Sequence, residues 1–167
     1  SAFVAPFQGF MVHKTAVGGS STFGVTRNEC VNSTATFYKT GNGNGSLSLK
    51  VSGNGFNDIT KLTFDDQATN QFDIAIDANK LPGRLTQPMI ATKVNNVLYS
   101  INNLESISTN PTVPFEFMAG TNGNYTITVD DISTFDPTVM IYLEDKVTNA
   151  PWIDLRQNNV YSFVGTT

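Results

Sequence analysis

The chain has 167 residues, which suits one domain with a hydrophobic core and is short for two. Charged residues make up 14% of it, against roughly 25% in typical domains, and the net charge is −4 with scattered basic residues. This composition excludes a basic nucleic-acid-binding face, and no apolar run approaches the roughly 20 residues of a membrane-spanning helix.

Alternation of apolar and polar residues with a period of two predicts a succession of short β-strands. The run at 138–145 is almost continuously apolar, which predicts a central strand. In chain order, the predicted strands are 9–14, 22–26, 35–39, 46–52, 60–64, 89–93, 97–101, 113–118, 124–130, 138–145 and 160–164.

Turn signals separate these strands. Asn-Gly pairs at 40–46 and 120–125 tolerate positive φ in tight turns, and 93–98 reads as a hairpin tip. No segment carries a sustained helical apolar stripe, so we expect at most one short helix near residues 66–71. The pattern predicts an all-β fold, a two-sheet antiparallel β-sandwich of jelly-roll or immunoglobulin-like type, over residues 1–167 as one domain.

The high content of Asn, Thr, Ser and Gly is typical of an extracellular β protein, and the start of the chain favours one that has been processed. Cys30 is the single cysteine, which forbids an internal disulfide and a Cys-based zinc site. We expect it to be an inert thiol. The chain starts at Ser1 without a signal peptide, so we expect a mature or excised segment of a larger secreted protein.

The sequence lacks the motifs that nucleophilic catalysis and phosphate binding require. His13, the single histidine, falls in a predicted strand, and no G-x-S-x-G nucleophile elbow occurs anywhere in the chain. The glycines of 40–46 lack the Lys-Ser/Thr pair and the helix of a phosphate loop. We therefore expect no enzymatic activity.

Four aspartates are concentrated in residues 62–81. If 72–77 is a strand, Asp73 and Asp77 lie roughly 13 Å apart at about 3.3 Å per residue. That distance is too long for one shared ion, and glycosidase carboxylate pairs lie about 5–9.5 Å apart. Asp65 and Asp66 have two interpretations: one of them caps a short helix that starts at Gln67, or they bind a structural calcium ion together with loop carbonyls. Calcium is the one cofactor we consider.

Trp152, the single tryptophan, follows the turn sequence TNAP. It either packs over the edge of the sandwich or exposes its ring as a glycan-binding surface among Asn-rich loops. A Lys–Asn isopeptide bond, which needs a nearby acid, is a further option in β-sandwich surface proteins.

Several phrases resemble a known family. The segment APFQGFMVHKTAVGGSSTFGV is similar to the P-x-Q-G-F-F-V part of Bacteroidota surface proteins, and residues 46–81 are similar to the part that follows. The closing segment resembles L-E-D-K-x-T-x-x-x-x-x-L…Y-x-F. The matching positions are Ala68, Thr69, Phe72, Asp73, Asp77, Ala78, Lys80, Leu81, Leu143, Glu144, Asp145, Lys146, Thr148, Leu155, Tyr161 and Phe163.

The family so resembled is the accessory β-sandwich module near the C-terminus of type IX secretion cargo proteins. The resemblance implies an extracellular or cell-surface location and no catalytic residues. No sorting domain follows within the 167 residues, so export by that route is inferred from the relatives.

We therefore expect a non-catalytic, monomeric module that serves as a spacer, adhesion or glycan-binding unit. Its expected partners are a glycan or cell-surface polymer and neighbouring domains of the parent protein, without nucleic acid or a membrane span. The alternatives are a β-sandwich carbohydrate-active enzyme that uses the aspartates, or a structural subunit of a surface or virion assembly.

Overall fold

The computed structural model describes residues 18–20, 22, 24, 44–107 and 110–167, and the chain divides into two compact units, Ser1–Thr40 and Gly41–Thr167. The ten strands described lie in the second unit. They are β1 (Gly45–Gly53), β2 (Phe56–Phe64), β3 (Ala78–Asn79), β4 (Met89–Val94), β5 (Val97–Leu104), β6 (Phe115–Met118), β7 (Gly123–Asp130), β8 (Tyr142–Leu143), β9 (Ile153–Asp154) and β10 (Val160–Gly165).

Eight of these strands form one mixed sheet in the order β10-β7-β1-β2-β5-β4-β6, with β3 paired to β5 beside this path. Strands β2 and β5 run parallel, and the other pairs are antiparallel. The sheet is curled, and the Ile90 N–H of β4 reaches past β5 to donate to Asp58 Oδ2 of β2 at 2.8 Å. Strands β8 and β9 form a separate antiparallel pair.

The core lies on one face of the large sheet, as the alternating sequence predicts. Leu49 of β1 pairs with Val129 of β7 on this face, and segments that follow β7 cover it. Burying each such side chain stabilises the fold by about 1.5–3 kcal/mol. The buried residues are Leu47, Leu49, Val51, Leu62, Phe64, Ile90, Leu104, Tyr125, Ile127, Val129, Phe135, Leu143 and Leu155.

Tight hairpins connect consecutive antiparallel strands. Asn54 and Gly55 between β1 and β2 both have positive φ, and so do Asn95 and Asn96 between β4 and β5. Two such residues in succession match the twist of a two-residue hairpin. The hairpin tip predicted at 93–98 is confirmed.

The all-β prediction is confirmed for the described residues, and no α-helix occurs among them. The purely antiparallel arrangement is wrong because β2 and β5 are parallel. Observed strands coincide with those predicted at 46–52, 60–64, 89–93, 97–101, 113–118, 124–130 and 160–164. The predictions for 9–14, 35–39, most of 22–26, His13 and Cys30 fall outside the described residues.

The short helix considered near 66–71 is a turn instead. The Gln67 N–H donates to Asp65 Oδ1 at 2.8 Å and the Ala68 N–H to the Asp65 carbonyl at 3.1 Å. An aspartate that bonds to the backbone two residues on favours a turn over a continuing helix. The described residues do include a short 3₁₀ helix, Ile132–Thr134.

The central strand predicted at 138–145 is also wrong, since only β8 forms there, outside the large sheet. Val139, Ile141 and Leu143 face the core, whereas Met140 and Tyr142 are exposed. The segment is thus buried on one side only. Within the described residues, no helix is long and apolar enough to cross a membrane.

Candidate functional site

The aspartates at 73 and 77 lie in a turn, so the strand predicted at 72–77 is wrong. The Asp73 N–H donates to Asp77 Oδ2 at 2.8 Å, and the N–H groups of Ile76 and Asp77 donate to the Asp73 carbonyl. The two residues are therefore much closer than the extended-chain estimate. Side-chain acceptors that serve nearby N–H groups compete with strand pairing, which accounts for the difference.

Hydrogen bonds occupy the carboxylates of this turn. Asp77 Oδ1 accepts the Asn103 N–H of β5 at 2.7 Å, and Asp73 Oδ2 accepts the Thr69 N–H at 2.7 Å. Burial, together with the charge of Asp77, raises the pKa of Tyr99. These contacts join the turn to β5, an interior strand of the large sheet, which is a structural role.

The candidate metal ligands are placed in local contacts as well. Asp65 Oδ1 accepts the Gln67 N–H, and Asp66 Oδ1 accepts Asn44 Nδ2 at 2.8 Å. Asp65 thus satisfies a backbone donor as predicted, although in a turn and not at a helix start. In the part of the chain that the structure describes, no three His, Cys, Asp or Glu residues gather as a metal-binding group.

Lys80 and Asp58 form the least exposed ion pair of the described residues. Lys80 Nζ lies 2.6 Å from Asp58 Oδ2 and also donates to the Ile59 carbonyl at 3.0 Å. The Lys80 side chain is 6% exposed, and Asp58 Oδ2 accepts the Ile90 N–H. The pair joins the segment after β3 to β2 and β4, so it stabilises the curl of the sheet.

The strongest candidate site is an aromatic platform formed by Tyr142 and Trp152. Trp152 is 65% exposed and Tyr142 is 47% exposed. Their ring centroids lie 6.1 Å apart at an interplanar angle of 51°. The Trp152 ring is thus exposed to solvent, and its aromatic neighbour is Tyr142. Two adjacent rings open to solvent can stack on the apolar face of a ligand.

Two carboxylates flank the platform. Asp154 of β9 is the cross-strand partner of Tyr142. Glu144 follows Tyr142 by two residues and is exposed like it. Asp154 Oδ1 accepts the Arg156 N–H at 2.9 Å, and its Oδ2 accepts Gln157 Nε2 at 3.1 Å. Hydrogen-bond acceptors thus lie beside a hydrophobic surface, a combination typical of sites for polyhydroxylated ligands.

Buried side chains and backbone bonds hold the platform from below. Leu143 and Leu155 are buried in the core, and the Leu155 N–H donates to the Ile141 carbonyl at 2.9 Å. The Arg156 guanidinium donates through Nε to the Val139 carbonyl and through Nη2 to the Asp136 carbonyl, each at 2.7 Å. The backbone of the β8–β9 pair is therefore held in place without a ligand.

Asp145 fixes the loop that separates the two rings. Tyr161 Oη of β10 donates to Asp145 Oδ2 at 2.6 Å, and the N–H groups of Val147 and Thr148 donate to Oδ1. Burial raises the pKa of Asp145, but the hydrogen bonds from Tyr161, Thr148 and Val147 outweigh it and hold the pKa below its ordinary value. The hydrogen bond to Asp145 raises the pKa of Tyr161.

Trp152 was named from the sequence as a candidate ligand-binding residue, but Tyr142 and Asp154 were not. Tyr142 fell inside the strand predicted at 138–145, so it was not considered for a surface role. The alternation of Met140, Tyr142 and Glu144 with Val139, Ile141 and Leu143 was a usable signal. The cross-strand position of Asp154 depends on a register that only the structure supplies.

Comparison with known proteins gives a family but no activity. No curated protein and no solved structure matches the chain. A family model described as a domain of unknown function, DUF8693, matches residues 1–167. The match covers the whole chain, so this protein belongs to the DUF8693 family.

Proposed function

We propose that this chain is a non-catalytic module of a secreted or cell-surface protein and that it binds a glycan through the aromatic platform. The observation that carries the proposal is the exposure of two neighbouring rings, Tyr142 and Trp152. A pyranose ring has an apolar C–H face, which stacks on an aromatic side chain, and hydroxyls at its rim, which donate to carboxylates.

The fixed base of the platform supports this proposal. Ordering a mobile loop upon binding costs conformational entropy, and a prepared surface avoids much of that cost. The β8–β9 pair is held by buried Leu143, by Arg156 and by the Tyr161–Asp145 bond. Exposed rings on a backbone that is held in place form the arrangement that a stacking surface requires.

The architecture proposed for the module is a two-sheet β-sandwich. Leu143, Leu155 and Phe135 are buried in the same core as β1 and β7 of the large sheet. The β8–β9 pair would then belong to the second layer. The low charged fraction and the resemblance to type IX secretion cargo modules support an extracellular, monomeric unit beside other domains of its parent protein.

A non-catalytic role is proposed because the aspartates of 62–81 are engaged in local structure. Asp65, Asp73 and Asp77 accept backbone N–H groups, and Asp66 accepts Asn44 Nδ2. We propose no resident cofactor, because Asp65 and Asp66, the candidate calcium ligands, already accept hydrogen bonds from the Gln67 N–H and from Asn44 Nδ2.

The test is affinity electrophoresis in gels that contain one soluble polysaccharide each. We expect at least one polymer to retard the wild-type protein and Trp152→Ala to lose most of that retardation. Phe56→Ala is the matched control, because Phe56 is 44% exposed and lies outside the platform. If no polymer retards the protein, or Trp152→Ala binds like wild type, the proposed function is wrong.

A further inference from the structure

We infer that the platform selects neutral polysaccharides over polymers that carry carboxylate or sulfate groups. This inference rests on the proposed function and concerns the class of glycan bound at that same site. The inference is based on the charged side chains near the two rings, whereas the proposed function is based on aromatic stacking.

The side chains beside the rings are mainly acceptors. Asp154 lies opposite Tyr142 across the strand pair, and Glu144, which directly follows β8, is exposed like Tyr142. A carboxylate only accepts hydrogen bonds, so it complements a sugar hydroxyl. An anionic group brought to the same position meets a like charge, which costs several kcal/mol when water is excluded.

The nearby cations are already engaged. Lys146 Nζ lies 3.8 Å from Glu144 Oε2. The Arg156 guanidinium donates to the carbonyls of Val139 and Asp136. Between residues 144 and 156 there are three acidic side chains and two basic ones. Between residues 144 and 156, a stretch that the structure describes in full, the one arginine fork is therefore already bonded to backbone carbonyls, and such a fork is the group that best recognises carboxylate or sulfate.

Long-range charge acts in the same direction. The chain carries a net charge of −4, which repels an anionic polymer before contact. Salt screens this repulsion over about 8–10 Å at physiological ionic strength. The local and long-range contributions to repulsion can be separated by reversing one charge at the platform or one charge elsewhere. Both substitutions change the net charge by the same amount, but only the first changes the charge beside the rings.

The test compares polymers that share a backbone and differ in charge: hydroxyethyl with carboxymethyl cellulose, propylene-glycol-esterified with free alginate, and methyl-esterified with free polygalacturonate. We expect the wild-type protein to bind the neutral member of a pair at least tenfold more tightly. Glu144→Lys should lower this ratio of neutral to anionic affinity severalfold, mainly because the variant binds the anionic member more tightly. Glu105→Lys is the matched control, since Glu105 is an exposed acid outside the platform.

The outcomes are distinguishable. Equal or tighter binding of the anionic member contradicts the inference and leaves the proposed function standing. If Glu105→Lys lowers the ratio of neutral to anionic affinity as much as Glu144→Lys does, the role of the platform charges is contradicted. Net charge alone would then explain the preference for neutral polymers. No binding to any of the six polymers overturns the inference together with the proposed function. Melting curves of both variants should match that of wild type, because both positions are exposed.

Discussion

Tyr161 on the last strand donates its hydroxyl to Asp145 Oδ2 at 2.6 Å, in the loop that separates Tyr142 from Trp152. The contact ties β10, an edge strand of the large sheet, to the segment that carries the candidate site. The Tyr161 ring also stacks on the Phe163 ring at an interplanar angle of 11°. This stacking orients the Tyr161 ring. This hydrogen bond to a carboxylate is therefore one of the contacts that hold the segment with the exposed rings.

Tyr161→Phe should destabilise the fold by about 1 kcal/mol. Hydrogen bonds to charged groups contribute about 1.5–3 kcal/mol, and partial exposure of Asp145 reduces that value. Tyr142→Phe is the matched control, since it removes the hydroxyl of an exposed ring. Urea denaturation of both variants measures the difference, and equal stabilities would show that the Tyr161–Asp145 bond contributes nothing.

Acid should weaken the same anchor. Because the folded pKa of Asp145 is lowered, its charged form stabilises the protein above the ordinary aspartate pKa of about 3.9. That contribution is lost as the pH falls through the lowered pKa. Asp145→Asn should therefore be less stable than wild type near neutral pH and approach it at strongly acidic pH. A constant difference across denaturation curves from about pH 7 to 2 would contradict this linkage.

Lys80→Met should destabilise the protein by about 2–4 kcal/mol, since removing one partner of a buried ion pair leaves the other charge uncompensated. The matched control is Lys93→Met. Lys93 and Glu116 lie 2.6 Å apart, as Lys80 and Asp58 do, but their side chains are 37% and 36% exposed. Exposed pairs contribute about 0–1 kcal/mol. Similar losses in the two variants, measured by denaturant unfolding, would mean that burial does not decide the contribution of the pair.

Calcium should leave the melting temperature unchanged. Asp65 already accepts the Gln67 N–H and Asp66 accepts Asn44 Nδ2. A cation bound to the folded state would stabilise it by about 2.7 kcal/mol at a hundredfold excess over Kd. Thermal unfolding with calcium and with a chelator measures this directly. A rise in melting temperature with calcium that Asp66→Asn removes would show a cation site.

Seven of the ten strands in the described part follow from the sequence, and the short strands β3, β8 and β9 do not. The candidate site follows only in part. Strands β1 and β7 alternate in hydrophobicity because one face is buried, so a period of two identifies them. The turn at Asp73 and Asp77 was missed because its bonds, to Thr69 and to Asn103, depend on side-chain geometry. The Tyr142–Asp154 pairing was missed because strand register is not visible in composition.

Fluorescence of Trp152 is the most direct measure of the central claim, because it is the single tryptophan of the chain. All indole emission therefore comes from the aromatic platform. A polysaccharide that retards the protein in affinity gels is titrated into the wild-type protein and into Tyr142→Ala. The account predicts a saturable blue shift for wild type and an affinity at least about tenfold lower, or 1.4 kcal/mol, for Tyr142→Ala. Retardation in the gel with no change in Trp152 emission would contradict it.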